Sequence, residues 1–222
     1  TVVYYNPETN KKCNSSEAIS TTGTKTGCMR WYTFNDKGND TVNLLLDHNT
    51  TAFVAWISKE DYIEAGGTVE EFGSAGNNSK GPITALKQLE SDTSTWNKSI
   101  NARLIEAQEI ANITGFPNWY NDFRYWHYFH TNSYTEYKGA AGTNKYAWLF
   151  DNTRECTTYG CNVADVADLS NVGYWTNTVH PNRSNVVWIV SNAGSLVIFD
   201  FIDVSNFFGI RPVITVSKSI IS

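Results

Sequence analysis

Apolar and polar positions change their period twice along this chain. Over the first 56 residues they fall in short runs rich in β-branched and aromatic residues. These are 2–5, then Met29-Arg30-Trp31-Tyr32-Thr33-Phe34, Val42-Asn43-Leu44-Leu45-Leu46 and Phe53-Val54-Ala55-Trp56. The turn signal Asn35-Asp36-Lys37-Gly38-Asn39 separates two of them. Such runs, punctuated by Asn, Asp and Gly, predict antiparallel hairpins. The middle of the chain is helical. Ser58 caps a short helix ending at Gly66-Gly67, a Gly/Asn/Ser loop covers 73–81, and Pro82 opens a second helix through about residue 96. Its Ile83, Leu86 and Leu89 recur every third position and predict one buried stripe. A third helix is expected over 104–113, with Leu104, Ala107, Ile110 and Ala111 on one face and Gly115 and Pro117 as its stop. Strands return at 146–150, 173–178, 186–191, 196–201 and 209–217.

Strands first, helices in the middle and strands last predict one α+β domain over 1–222, mostly antiparallel, with about three helices and with its two ends paired in one sheet. Residues 1–56 could instead form a small strand-rich subdomain. From 116 to 137, ten of 22 residues are aromatic with no regular period, which predicts an irregular, packed region.

Composition narrows the function. Only 18% of residues are charged, the net charge is −5, and 24 Asn outnumber 17 Lys plus Arg. The surface is therefore neutral and hydrogen-bonding, and without a basic cluster no nucleic-acid partner is expected. No run approaches eighteen apolar residues, so no membrane span is expected. The four cysteines pair by spacing, Cys13 with Cys28 and Cys156 with Cys161, and neither pair is C-x-x-C. That argues for two local disulfides and an oxidising, extracellular compartment rather than zinc or redox chemistry. The chain opens at Thr1 without a signal peptide, as a secreted chain trimmed of its targeting segment would.

Candidate chemistry is sparse. Asp47-His48-Asn49-Thr50-Thr51 places a carboxylate beside an imidazole, but neighbours on a strand point to opposite faces, and an Asx-type turn satisfying local backbone is the simpler expectation. His127 and His130 are spaced like ligands on one helical face, yet their aromatic neighbours favour stacked or core histidines. Ser170 and Ser184 lack a Gly-x-Ser-x-Gly context. No phosphate loop, dinucleotide fingerprint or twelve-residue calcium loop is present. No catalytic residue, metal or cofactor is expected. The aromatic belt from Trp119 to Tyr137 could stack on sugar rings, although core filling is the plainer role.

Three late segments carry a resemblance: Gly173-Tyr174-Trp175-Thr176-Asn177-Thr178, Val187-Trp188-Ile189-Val190 and Gly209-Ile210-Arg211-Pro212-Val213-Ile214. In that order they resemble the closing half of C-type-lectin-fold domains of the formylglycine-generating-enzyme-like branch, which includes the variable proteins of diversity-generating retroelements. The likeness extends upstream through Gly81-Pro82-Ile83-Thr84-Ala85, Asn101-Ala102-Arg103-Leu104-Ile105, Cys28-Met29-Arg30-Trp31-Tyr32 and Leu46-Asp47-His48-Asn49-Thr50-Thr51, about 28–217 in all. It implies a C-type-lectin-like fold in which Trp175, Trp188 and Arg211 are framework. The oxidases of this branch use a late cysteine pair, and no cysteine follows Cys161. The Glu-Pro-Asn and Trp-Asn-Asp calcium motifs of sugar-binding relatives are also absent.

The resemblance further implies a secreted, cell-surface or phage-borne protein that displays side chains between its framework strands to a protein or glycan on another surface. A glycan-binding adhesin, a minor pilin-like component, and an oxidase or hydrolase using His127, His130 and Asp47 are the other classes. The expected contacts are Val179, His180, Asn182, Arg183 and Asn185 in the first connection. Later in the chain they are Ile189, Ser191, Ala193, Ser195, Phe199, Asp200, Phe201 and Phe207. The residues themselves point the same way. From Leu196 to Ile202 only Asp200 is polar, so that strand is either buried on both faces or presents an apolar patch.

Overall fold

The computed structural model describes residues 1–19, 25–36, 38–115, 147–150, 173–191 and 196–222. The fold is α+β, with two mostly antiparallel sheets and several short helices. The first sheet has the order β2-β1-β3-β4-β9: β1 (Val2–Asn6), β2 (Lys11–Lys12), β3 (Met29–Phe34), β4 (Thr41–Leu46) and β9 (Val213–Ser217). All its pairings are antiparallel, and the register Leu44↔Ile214 joins the two ends of the chain. The second sheet has the order β7-β6-β5-β8: β5 (Gly173–Val179), β6 (Val187–Val190), β7 (Leu196–Phe199) and β8 (Phe208–Gly209). Here β5 and β8 run parallel and the other pairs antiparallel.

Period-two alternation sorts side chains into layers. In β4, Val42, Leu44 and Leu46 join Trp31, Trp96 and Ile214 in one core, while Leu45 turns to the opposite face. That opposite core lies between the sheets: Leu45 and Val213 from the first meet Tyr174, Trp188, Val190 and Leu196 from the second. The far face of the second sheet sends Trp175, Val187 and Ile189 into a third core with the helices. Strand β6 is thus covered on both faces, which accounts for its unbroken apolar run.

Helix α1 (Lys59–Glu64) begins where Ser58 accepts a hydrogen bond from Asp61 N–H, and α2 (Val69–Phe72) begins at a Thr68/Glu71 capping box. Pro82 precedes α3 (Ile83–Asp92). The expected stripe is shifted: Ala85, Leu89 and Asp92 are buried, whereas Leu86 is 41% exposed. Period three drifts from the helical 3.6, and the burial of Asp92 fixes which face turns inward. Helix α4 (Ala107–Thr114) starts later than residue 104 and ends at Gly115, whose φ of 72° a glycine adopts without steric cost. The strand expected at 146–150 is instead a turn of helix, α5 (Ala147–Phe150), and Lys218–Ile221 forms a closing helix, α6.

Two further elements depart from expectation. Residues 53–56 form no strand, although Val54 N–H donates to Phe208 C=O and Trp56 N–H to Ile202 C=O. The run 209–217 is broken at Pro212, which lacks a donor for the ladder. Cys13 and Cys28 form a disulfide across 15 residues. Cys156 and Cys161 lie outside the described residues, as does the aromatic region 116–137 with His127 and His130. The Cys13→Ser/Cys28→Ser double variant should lose about 2–3 kcal/mol through the entropy of an open loop. A urea midpoint equal to the wild type's would show that the loop is held by other contacts.

Asp47-His48-Asn49-Thr50-Thr51 is not a local turn but a buried polar seam. Asp47 accepts from Tyr32 Oη at 2.8 Å, and Asn49 Nδ2 donates to Gly173 C=O at 3.2 Å. Thr50 and Thr51 donate to Asp92, which also receives Lys25 and Gln88. Distant partners, rather than the adjacent backbone, make these bonds. The seam ties β4 to α3 and to the second sheet.

Candidate functional site

The connection between β5 and β6 is short and heavily tied. His180 N–H donates to Val186 C=O, and Asn182 N–H donates to the Nδ1 atom of His180 at 3.2 Å. From the 3₁₀ turn Asn78–Lys80, Asn78 holds the loop. Its Nδ2 donates to Arg183 C=O at 2.9 Å and to Val186 C=O at 2.8 Å, and its own N–H donates to Ser184 C=O. Partial burial, aided by the nearby Arg183 charge, lowers the His180 pKa from its ordinary value.

A second set of ties joins this loop to the end of β7. Asn185 Nδ2 donates to Asp200 C=O at 3.1 Å, and Arg183 Nη2 lies 3.7 Å from Asp200 Oδ2. Both charged side chains are about half exposed, 46% and 48%, so the ion pair orients more than it stabilises.

Beyond β7 the chain presents rings. Phe201 and Phe207 are 51% and 49% exposed, the two highest values among large apolar side chains of the described residues. They flank Phe199, with centroids 6.1 and 5.5 Å away. Phe199 in turn meets Phe208 at 4.8 Å and Trp175 at 6.0 Å, and Trp175 meets Phe208 at 4.8 Å. The tilted and edge-on geometry is the favoured one for aromatic pairs. The cluster runs from a fully buried indole to two solvent-facing rings.

The expected contacts divide accordingly. Val179, Asn182, Arg183, Phe201 and Phe207 are exposed, and His180, Asn185, Ser191, Phe199 and Asp200 are partly so. Ile189 is corrected: at 1% exposure it belongs to the core shared with the helices, because β6 is sandwiched between two apolar layers. Phe199 also packs partly against that core and is not a free surface ring. Along β7, Leu196 is buried and Ile198 packs partly on the core between the sheets, Val197 and Phe199 pack partly on the helical core, and Ile202 beyond the strand is fully buried. Ala193 and Ser195 lie outside the described residues, as does Ser170. Trp175, Trp188 and Arg211 are fully buried. Sequence reasoning passed over Asn78, whose only signal was its place in an Asn/Ser/Gly loop, and Phe208, which supports the rings from beneath.

Ser184 is exposed. Asp47 is wholly buried and bound to Tyr32. Among the described residues no group of three His, Cys, Asp or Glu side chains could hold a metal ion. No helix among them is long and apolar enough to cross a membrane. No family model, curated protein or solved structure matches this chain.

Proposed function

We propose that this protein is a non-enzymatic binding protein, secreted or held at a cell surface, that displays a recognition surface from its C-terminal strands on a C-type-lectin-like scaffold. The observation that carries this reading is the pair of half-exposed rings, Phe201 and Phe207, standing on Phe199, with the half-exposed Asp200, paired with Arg183, next to Phe201 in the chain. Aromatic anchors with a polar rim are the usual make-up of a binding hot spot. Holding such rings in water has no folding benefit that a polar residue would not match. The order of the three late segments, with Trp175, Trp188 and Arg211 buried, is what variable proteins of diversity-generating retroelements would require of their framework. On this reading, substitutions among sibling loci concentrate within 175–212 and spare those three residues.

The Phe201→Ser/Phe207→Ser double variant tests it. Each change is at an exposed site and should shift stability by under about 0.5 kcal/mol. Labelled wild-type protein is screened on arrays of extracellular proteins and of glycans, with the variant alongside. The expected result is a set of wild-type partners that the variant fails to retain at an unchanged melting temperature. Partners bound equally by both forms would move the site elsewhere, and partners confined to the glycan array would favour an adhesin.

A further inference from the structure

Unpaired N–H and C=O groups along a sheet edge are a template for another strand, and proteins blunt their edges to prevent this. Of the four sheet edges among the described residues, three are blunted. β2 is two residues long, and both are lysines. β9 starts under Arg103, which exchanges two backbone hydrogen bonds with Val213. β8 is two residues long, and Val54 N–H occupies its Phe208 carbonyl.

The fourth edge is β7, and it is left plain. Its four residues, Leu196-Val197-Ile198-Phe199, contain no charge, no proline and no glycine. Among the described residues it is bonded on one side only, to β6, in the register Val187↔Phe199 through Val190↔Leu196. Val197, Ile198 and Phe199 are partly exposed. In an antiparallel pair every second residue turns its N–H and C=O away from its partner, so β7 holds a half-ladder facing outward. The exposed rings of Phe201 and Phe207 lie just past its end, against Phe199.

We propose that the outer edge of β7 is a docking edge for an extended polypeptide segment of a partner protein, which joins the second sheet as a fifth strand. The occupant is set by hydrogen-bond complementarity. Alternating donors and acceptors at strand spacing are matched by another backbone, whereas a sugar or a helix face offers no such row. The side chains flanking the edge are all apolar, so the incoming strand is uncharged at its centre, with apolar residues at alternate positions. This rests on the reading of the C-terminal strands as the binding surface and names the partner chemistry for it.

β6 already shows one sequence that pairs with β7, so the probe is a fluorescein-labelled peptide carrying Val187-Trp188-Ile189-Val190 between lysine pairs. A second peptide has the same side chains but N-methyl groups on the four central amides. Fluorescence anisotropy with the full chain should show saturable binding of the first, and binding weakened about 20-fold or more for the second, as expected when two or more ladder bonds are lost. Equal binding of both peptides, or none of the first up to about 1 mM, overturns the proposal. On the protein side, Val197→Pro and Ile198→Pro differ in which way the lost N–H points. The one facing outward should abolish binding while keeping the fold, and if both unfold, the methylated peptide still decides. The Phe201→Ser/Phe207→Ser variant separates the two readings. Peptide binding that survives it but fails on N-methylation upholds the edge and refutes the rings. A dimer in sedimentation velocity together with no peptide binding assigns the edge to a second copy of this chain and overturns the partner assignment.

Discussion

Replacing Trp175 by alanine lowers the stability by about 3–5 kcal/mol, the usual range for emptying a buried aromatic site. Two independent losses add. The indole is fully buried between Phe208 and Phe199, and its Nε1 donates to Val54 C=O at 2.7 Å. That bond has a counterpart, since Trp56 Nε1 donates to Thr176 C=O at 2.9 Å. The segment 53–56 has no strand ladder of its own, so these two indoles are its main tie to β5. For a chain of this length the change corresponds to a melting temperature lower by roughly 6–20 °C. Trp175→Phe keeps most of the volume but strands the Val54 carbonyl, so it should fall between the two. Calorimetry decides: a loss under about 1 kcal/mol for Trp175→Ala would mean that the pocket closes on itself. Because the exposed rings rest on Phe199, which packs against this indole, the proposed function requires the alanine variant to lose binding as well.

Arg211→Ala should be of similar size, about 3–5 kcal/mol, for a different reason. This guanidinium is wholly buried and serves carbonyls rather than a single carboxylate. Nε donates to Leu46 C=O at 2.7 Å, and Nη2 donates to Trp148 C=O at 2.6 Å and to Asp47 C=O at 3.3 Å. Trp148 and Leu149 lie in the one-turn helix α5, whose carbonyls have no intrahelical donor. A cation at that end also meets the favourable pole of the helix. The plane of Arg211 lies 5.2 Å from the Tyr174 ring, and burial pushes that hydroxyl up to about 12 while the arginine charge pulls it down. Removing the side chain leaves several acceptors dry and frees α5 from β4. Arg211→Lys should recover little, since an ammonium cannot fork to carbonyls on two elements. Full recovery by lysine would show that charge alone matters at this position.

Much of this architecture was legible in the amino-acid pattern. β-Branched and aromatic runs located β3, β4, β5 and β6, and Ser58 and Gly115 marked helix ends because caps have specific chemistry. The misreadings share a cause, which is tertiary context. The run 146–150 reads as a strand by composition, yet Ala147–Phe150 is a helical turn whose Trp148 carbonyl is held by the buried Arg211. Leu86 faces water because Asp92, a residue that no hydropathy pattern places inside, is buried with four donors. Ile189 read as a display position because one strand cannot reveal that both its faces are covered. The loop contacts Asn182 and Arg183 were readable as exposed, since Pro, Asn, Arg and Ser cluster there. The ring base beneath Phe201 was not, because Phe208 and Trp175 meet only after the parallel pairing of β8 with β5.

The grip of Asn78 on the β5–β6 connection has a consequence for how this loop can change over time. Every bond it makes to the loop ends on a main-chain oxygen, at residues 183, 184 and 186. Main-chain oxygens are supplied by all twenty amino acids. The clamp is therefore indifferent to which side chains occupy 182 to 184, and it rigidifies a charged, small or aromatic residue there equally well. Asparagine at 78 thus separates the shape of the loop from its chemistry. On the proposed display reading, new side chains can be written at these positions without the scaffold being solved again each time, whereas a single substitution at 78 would loosen every version of the loop at once.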